Sequence, residues 1–328
     1  MEAPEPLDRL TVEVLTDNVT DSYSTKPAYV AHEFENVMDA GAHQLSGATL
    51  CCAQLGLSLM LTGWSRGTRH KLLFDAGVEG PILLRNCRNL GVQLDDVEAV
   101  AISHGHWDHM GALTAALDEI SRDGRRIPCH VNPGMFIERA ARLGDGRIAP
   151  FEPVPSPAEL ARHGAEVVSD GDERGLLDDF FYYSGEIPRV TSFETGRMDH
   201  LARTGDQAEW EPDPLLMDER YLALNIRGRG LMIFSACSHA GIVNVLLHAQ
   251  ARFPGVPVYG IFGGLHLVGT LEQIIPQTVG YLADVGLRRV VPAHCSGFRA
   301  VTALIQALGE EVVVPSAVGS RYTFDSEP

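Results

Sequence analysis

Short apolar runs, each closed by Asp or Gly, set the pattern of the first third of the chain. "LTVEVLTD" (10–17), "LSLMLTG" (57–63) and "HKLLFDAG" (70–77) each predict a strand. "PILLRNCRNLGV" (81–92) switches to helical spacing and stops at Gly91. "VEAVAISHG" (97–105) is again a compact strand, and "GALTAALDEISRDG" (111–124) a helix stopped by Gly124. The residues from His104 to His109 therefore sit where a strand passes into a helix. This C-terminal strand edge is where α/β sheets place their chemistry.

The pattern weakens from about 143 to 218, a span rich in Pro, Gly, Asp and Glu, where only "GLLDDFFYYSGEIPRV" (175–190) keeps a periodicity. A stretch of this length reads as a lid or interface insertion, or as a solvated loop region. Regularity then returns. "RYLALNIRG" (220–228) and "GLMIFSACS" (230–238) predict a hairpin, "GIVNVLLHAQARF" (241–253) a helix and "VPVYGIFGG" (256–264) a strand. "TLEQIIPQTVGYLADVG" (270–286) predicts a helix interrupted near Pro276, followed by a strand at "RRVVPAH" (288–294) and a helix at "FRAVTALIQALG" (298–309). "EVVVPSAVGSRYTFD" (311–325) predicts a pair of terminal strands. Strands in both halves, each half followed by helices, predict two sheets packed between helical layers in a single α/β domain over 1–328.

Composition narrows the partners. The 328 residues are 45% apolar, ample for a large buried core. A formal net charge of −17 would repel a phosphate backbone, so no nucleic-acid partner is expected. The start of the chain, "MEAPEPLDRL", has neither the basic nor the apolar region of a secretory signal, and no apolar run reaches the length of a membrane span. Six cysteines are scattered without a CxxC pair, which reads as reduced thiols in the cytoplasm. A small-molecule substrate is the partner expected. Nothing in the pattern specifies an oligomeric state.

The segment "AISHGHWDHMGAL" (101–113) holds His104, His106, Asp108 and His109 within six positions. On extended chain His104 and His106 share a face, and Asp108 and His109 follow as the helix begins. Two imidazoles on one side, and a carboxylate with an imidazole on the next turn, can serve two adjacent metal ions that each keep a position open for water. Zinc suits such donors, with manganese or iron as alternatives.

"SHGHWDHMGAL" (103–113) resembles the signature of the metallo-β-lactamase superfamily, which includes lactamases, glyoxalase II and ribonuclease Z. The resemblance extends upstream to "LLFDAG" (72–77) and downstream to "VVPAHCSG" (290–297). It implies an αββα sandwich with a binuclear metal site at the edge between its sheets. It also implies that Asp75 supports the metal loop from behind and that His294 is the last histidine ligand. Within the superfamily, "LTDN" (15–18), "LFDAG", "YSGEIPR", "SACSHAGIVN", "GGLHL" and "PAHCSG" in this order resemble the branch named for an archaeal dihydropterin ribofuranosylaminobenzene phosphate synthase. The chain departs from that branch at Gln54-Leu55-Gly56, where a Glu-His-Gly is expected.

The superfamily's bridging aspartate has no counterpart here, so the resemblance passes its place to Cys237 or His239, or leaves the site with fewer metals. His239 is read as the ligand. Cys237 is read as a neighbouring group or a buried inert thiol. The histidine that completes the first metal site is missing from "PDPLLMDER" (212–220), which leaves Asp213, Asp218, Glu219 or His239 to fill it. His266, at the end of a strand and flanked by glycine, resembles the ribonuclease Z histidine that handles the leaving group. His130 is read as structural. His32, His43, His70, His163, His200 and His248 are read as ordinary. Phe180, Phe181, Tyr182 and Tyr183, with Arg189, form either a substrate wall with an anion-pairing arginine or packing for the middle segment.

The expectation is a metal-dependent hydrolase of a small-molecule ester, lactone, amide or phosphoester. A metal-activated water attacks, Asp108 ligates and orients, and His266 protonates the leaving group. The alternatives are a transferase like the branch's namesake and a di-iron redox protein on the same fold.

Overall fold

A computed structural model describes residues 2–205 and 208–327. The larger sheet has eight strands in the spatial order Val30–Ala31, Arg321–Asp325, Arg9–Thr16, Ser58–Ser65, Thr68–Phe74, Ala99–Ala101, Ile127–His130 and Ala165–Val168. From Thr68–Phe74 onward its strands run parallel. The second sheet has six strands in the order Arg174–Leu176, Phe181–Tyr183, Leu222–Ile226, Gly230–Ser235, Val258–Gly264 and Arg289–Ala293, the last three parallel.

Side-chain alternation along these strands builds the layers. Leu72 and Phe74 point into a core shared with Phe181, Leu222, Met232, Phe234 and Phe262 of the other sheet, while Leu73 points the opposite way. Leu73, Val100 and Ile102 pack under the helices Gly80–Asn89 and Leu113–Ile120. Ile233 and Ile261 pack under Ile242–Arg252 and Ile275–Val285. Helix, sheet, sheet, helix is the order that results: an αββα sandwich. No helix among the described residues is long and apolar enough to cross a membrane.

The span 143–218 is more structured than its weak periodicity suggests. Ala165–Val168 extends the larger sheet, and Arg174–Leu176 and Phe181–Tyr183 open the smaller one. A third sheet of four short strands, in the order Glu211–Pro212, His200–Arg203, Glu138–Arg142 and Ile148–Pro150, lies in and beside this span. The strands are too short to print an alternation in the sequence. Phe180, Phe181, Tyr182 and Tyr183 are all buried, and the Tyr183 hydroxyl donates to the Ile102 carbonyl at 2.7 Å, so these rings pack the sandwich.

Two local expectations are corrected. Pro276 does not interrupt a helix: the 3₁₀ turn Gly269–Ile274 leads into the α-helix Ile275–Val285, with Pro276 in its first turn, where a missing N–H leaves no hydrogen bond broken. Of the terminal pair only Arg321–Asp325 is a strand. Val313 makes a single parallel bridge to Val290, and beyond it Pro315 has no N–H to extend a ladder, although Ser316 N still donates to the Pro292 carbonyl at 3.0 Å.

Candidate metal centre

The histidine turn sits at the C-terminal end of Ala99–Ala101. Around it stand the ends of four other strands: Asp75 after Thr68–Phe74, Cys237 and His239 after Gly230–Ser235, His266 after Val258–Gly264, and His294 after Arg289–Ala293. Asp75, Ser238, His266 and His294 hold positive φ angles of 55, 59, 46 and 47°, a conformation non-glycine residues adopt only when their surroundings impose it. The turn is braced from behind. Gly105 N donates to Asp218 Oδ2 at 2.8 Å, and the buried Arg139 donates to Gly105 O at 2.9 Å and to Asp218 Oδ1 at 2.7 Å. Gly105 has to be glycine, since a Cβ there would lie 2.1 Å from the Met135 carbonyl oxygen.

The hydrogen bonds assign which imidazole nitrogens are bare. The buried Asp75 carboxylate accepts from Ser103 N, Ser103 Oγ and His109 Nδ1, each at 2.7 Å. Ser103 Oγ, its own proton directed to Asp75, accepts from His104 Nδ1 at 2.8 Å. This leaves His104 Nε2 without a proton. His200 Nδ1 donates to the Asp213 carbonyl at 3.0 Å, so its Nε2 is an acceptor and His106 Nε2, 2.9 Å away, is the donor. His106 Nδ1 is therefore bare as well, and it faces the bare His104 Nε2 at 3.0 Å.

His239 joins these two in a three-histidine donor group. Its ring nitrogens are buried and have no hydrogen-bond partner. Its backbone is held by Glu219, which accepts from His239 N and Ala240 N at 2.8 and 2.6 Å. Burial first, then neighbouring histidines, hold His104 and His239 well below the ordinary histidine range, and burial does the same for His106. All three rings are neutral, the form that binds metal.

Asp108, His109 and His294 form a second donor group. His109 Nε2 and His294 Nε2 are 3.3 Å apart, and His294 Nε2 is 3.3 Å from Asp108 Oδ2. Burial opposes ionisation of Asp108, yet His109 and His294 beside it pull its carboxyl below the usual carboxylate range. Burial also opposes charge on His294, but Cys295 and Asp108 push its pKa up to about 9. A positive charge is favoured at this point. The early "LTDN" segment positions His294: Asn18 Oδ1 lies 3.0 Å from His294 Nδ1, Asn18 Nδ2 donates to His294 O at 3.0 Å, and Asp17 Oδ1 accepts from His294 N at 3.0 Å. Cys237 stands between the groups, its Sγ 3.4 Å from His109 Nε2 and within the same donor set as His104 and His109.

Bare nitrogens facing one another in a buried space fit a metal ion better than any hydrogen-bond scheme. Tetrahedral zinc, with Zn–N of about 2.0–2.1 Å, would hold its nitrogens about 3.3 Å apart. The structure thus brings together His104, His106, Asp108, His109, Cys237, His239, His266 and His294, with Asp75 behind them. His266 stands against His239, ring centroids 4.5 Å apart, and groups with Cys237 and Cys295. Arg189 lies elsewhere. Its guanidinium donates to the carbonyls of Ile187, Leu215 and Leu216, so it ties the middle segment together. Asp218 and Glu219 bind backbone N–H groups of the site loops, which leaves the place beside His104 and His106 to His239.

His200 is the residue that reading the sequence missed. It lies 94 positions from His106 in a four-residue strand, with nothing local to single it out. Replacing it with alanine is expected to weaken metal binding about 10- to 100-fold, the usual cost of losing the group that orients a ligand histidine. His200→Gln, which keeps an acceptor, should lose less. Competition with a chromogenic chelator measures both; equal affinity in wild type and His200→Ala would refute the orienting role.

A surface hollow of about 400 Å³ between Leu84, Arg88, Leu94 and Arg122 contains none of these residues. A much smaller cavity, about 20 Å³, opens at the site between Ser238, His239, His266 and Leu267.

Comparison with known proteins agrees with this architecture. Residues 62–176 match the pattern of the metallo-beta-lactamase superfamily. The chain is 26% identical over 273 residues to the 7,8-dihydropterin-6-methyl-4-(beta-D-ribofuranosyl)-aminobenzene-5'-phosphate synthase of Methanocaldococcus jannaschii, covering 79% of this chain and 86% of that protein. It is 27% identical over 236 residues to an uncharacterized protein of the same organism, covering 72% of this chain and 83% of that one. A solved structure described as a metal-dependent hydrolase of the beta-lactamase superfamily superposes with a TM-score of 0.69 at 20% identity, covering 97% of this chain and all of the other.

Proposed function

From the premise of a chain with the metallo-β-lactamase fold, matching that superfamily over 62–176, we propose a metal-dependent hydrolase of a small-molecule ester, lactone, amide or phosphoester. The observation that carries the reading is the contact of bare nitrogens at His104 Nε2 and His106 Nδ1, 3.0 Å apart and buried, beside the Asp108–His109–His294 group. A pair of divalent ions, zinc first and manganese or iron next, would supply Lewis acidity and a water acidic enough to ionise near neutral pH.

The chain's own residues do the rest. His104, His106 and His239 hold one position; Asp108, His109 and His294 hold the other, with Cys237 between them. Asp75 fixes two of the rings through Ser103 and directly. Asp108, kept ionised by its histidine neighbours, orients the attacking water through its free carboxylate lone pairs. His266, partly exposed at the rim, donates a proton to the departing group. A cytoplasmic setting belongs to this reading, supported by six cysteines that are all free.

The match to the synthase supports a second reading, in which the same centre polarises a leaving group during transfer to a dihydropterin. Purified metal-loaded protein assayed on chromogenic phosphodiesters, lactones and thioesters separates the two. Turnover abolished by chelation and restored by zinc or manganese is expected. A silent panel together with consumption of a dihydropterin and a ribofuranosylaminobenzene phosphate, the aromatic amine, would favour the synthase and sink the hydrolase.

A further inference from the structure

The strands Gly230–Ser235, Val258–Gly264 and Arg289–Ala293 lie side by side, with Val258–Gly264 in the middle; Ser235 pairs with Gly263 and Gly264 with Ala293. Cys237 and Cys295 each follow the end of an outer strand by two residues. Neighbouring strands are about 4.8 Å apart, so these two positions begin roughly 10 Å from each other, with the middle strand between them. Any side chain at Gly264 would keep them apart: a Cβ there would lie 2.6 Å from Cys295 Sγ and 2.4 Å from Ala236 O. With glycine in that place the two sulfurs meet at 3.3 Å. Cys237 is buried, whereas Cys295 is only partly covered, so Cys295 is the sulfur that a reagent from solvent reaches first.

We propose that Cys237 and Cys295 form a reversible disulfide that competes with metal for the Cys237 sulfur. The competition rests on the metal reading above; the disulfide does not. The oxidant is a low-molecular-weight disulfide. The Cys295 sulfur attacks it, one small thiol leaves carrying a proton, and a mixed disulfide forms. The Cys237 sulfur then attacks Cys295, and the second small thiol leaves. Two protein thiols are oxidised and one external disulfide is reduced to two thiols, so atoms and electrons balance. Once in a disulfide, the Cys237 sulfur no longer offers a thiolate to the donor set it shares with His104 and His109. The oxidised protein therefore holds metal less tightly, and bound metal shields the pair from oxidation.

The test uses the full chain, stripped of metal, reduced, and then exposed to glutathione disulfide. Expected are a mass loss of about 2 Da, a cross-linked pair of peptides containing Cys237 and Cys295, and reversal by dithiothreitol. Cys295→Ser should show no such loss. Excess zinc should slow the loss of about 2 Da in the wild type at least about tenfold, since the Cys237 sulfur, whose attack on the mixed disulfide closes the bond, is then held as a ligand. Six alkylatable thiols remaining after oxidation, or the same mass loss in Cys295→Ser, would overturn the disulfide. A cross-link that forms equally fast with zinc present would overturn the competition, and with it the assignment of Cys237 as a metal donor.

Discussion

His106→Ala and Asp108→Ala are each expected to lower metal-dependent hydrolysis by more than about 100-fold, beyond what losing a mere orienting group costs. The two act on different donor groups: His106 belongs with His104 and His239, Asp108 with His109 and His294. Each variant should therefore lose one metal equivalent while keeping the other. The fold should survive, because the sandwich core between the sheets contains neither residue. Without metal, His106→Ala removes the unfavourable contact with His104 Nε2 at 3.0 Å but also the hydrogen bond to His200 Nε2 at 2.9 Å, so the two effects oppose each other and its metal-free form should melt close to the wild type. Metal binding should separate the two proteins. At free metal 100-fold above Kd, occupation of one site stabilises the folded chain by about 2.7 kcal/mol, and a variant without that site should gain much less. Metal analysis alongside thermal melts with and without zinc checks both statements. Full activity with full metal content in either variant would mean that the centre lies elsewhere.

Asp75→Asn is expected to be the most destabilising single change at the site, by about 3 kcal/mol or more in the metal-free protein. The carboxylate is wholly buried and accepts from Ser103 N, Ser103 Oγ and His109 Nδ1. An amide offers one acceptor oxygen and turns two donors of its own toward groups that also donate. Asparagine tolerates the φ of 55° at this position better than most residues, so backbone strain does not confuse the result. His109 also loses the partner that fixes its tautomer, and metal affinity should fall about 10- to 100-fold in addition. Urea unfolding of the metal-free forms measures the first effect and chelator competition the second. A midpoint within error of the wild type would show that the three hydrogen bonds do not act as a unit.

How far the centre is legible in the chain depends on distance along it. His104, His106, Asp108 and His109 are adjacent, and the conformations of strand end and helix start suffice to turn them the same way. Asp75 and His294 are legible through the resemblance of "LLFDAG" and "VVPAHCSG" to the superfamily's strands. His239 and Cys237 are legible as candidates but not in their roles, since nothing in "SACSHAGIVN" says that Glu219 seats the His239 backbone or that Cys237 stands between two donor groups. His200, Arg139 and Asp218 carry no local signal, and Arg189 carries a misleading one: the charge that suggested a substrate partner is bound to three carbonyls.

By itself, the sequence determined most of the longer elements outside 143–218 and the sidedness of each, because a strand's alternation and a helix's turn are geometry a few residues long. It likewise determined the donor turn, whose ligands need only one another's backbone to be aimed. The tertiary structure alone decided which strand ends meet. It placed His200 behind His106, Glu219 under His239, and Cys295 across Gly264 from Cys237. Those meetings depend on the order of strands in two sheets, which arises when both apolar faces are buried together and is written in no single stretch of the chain.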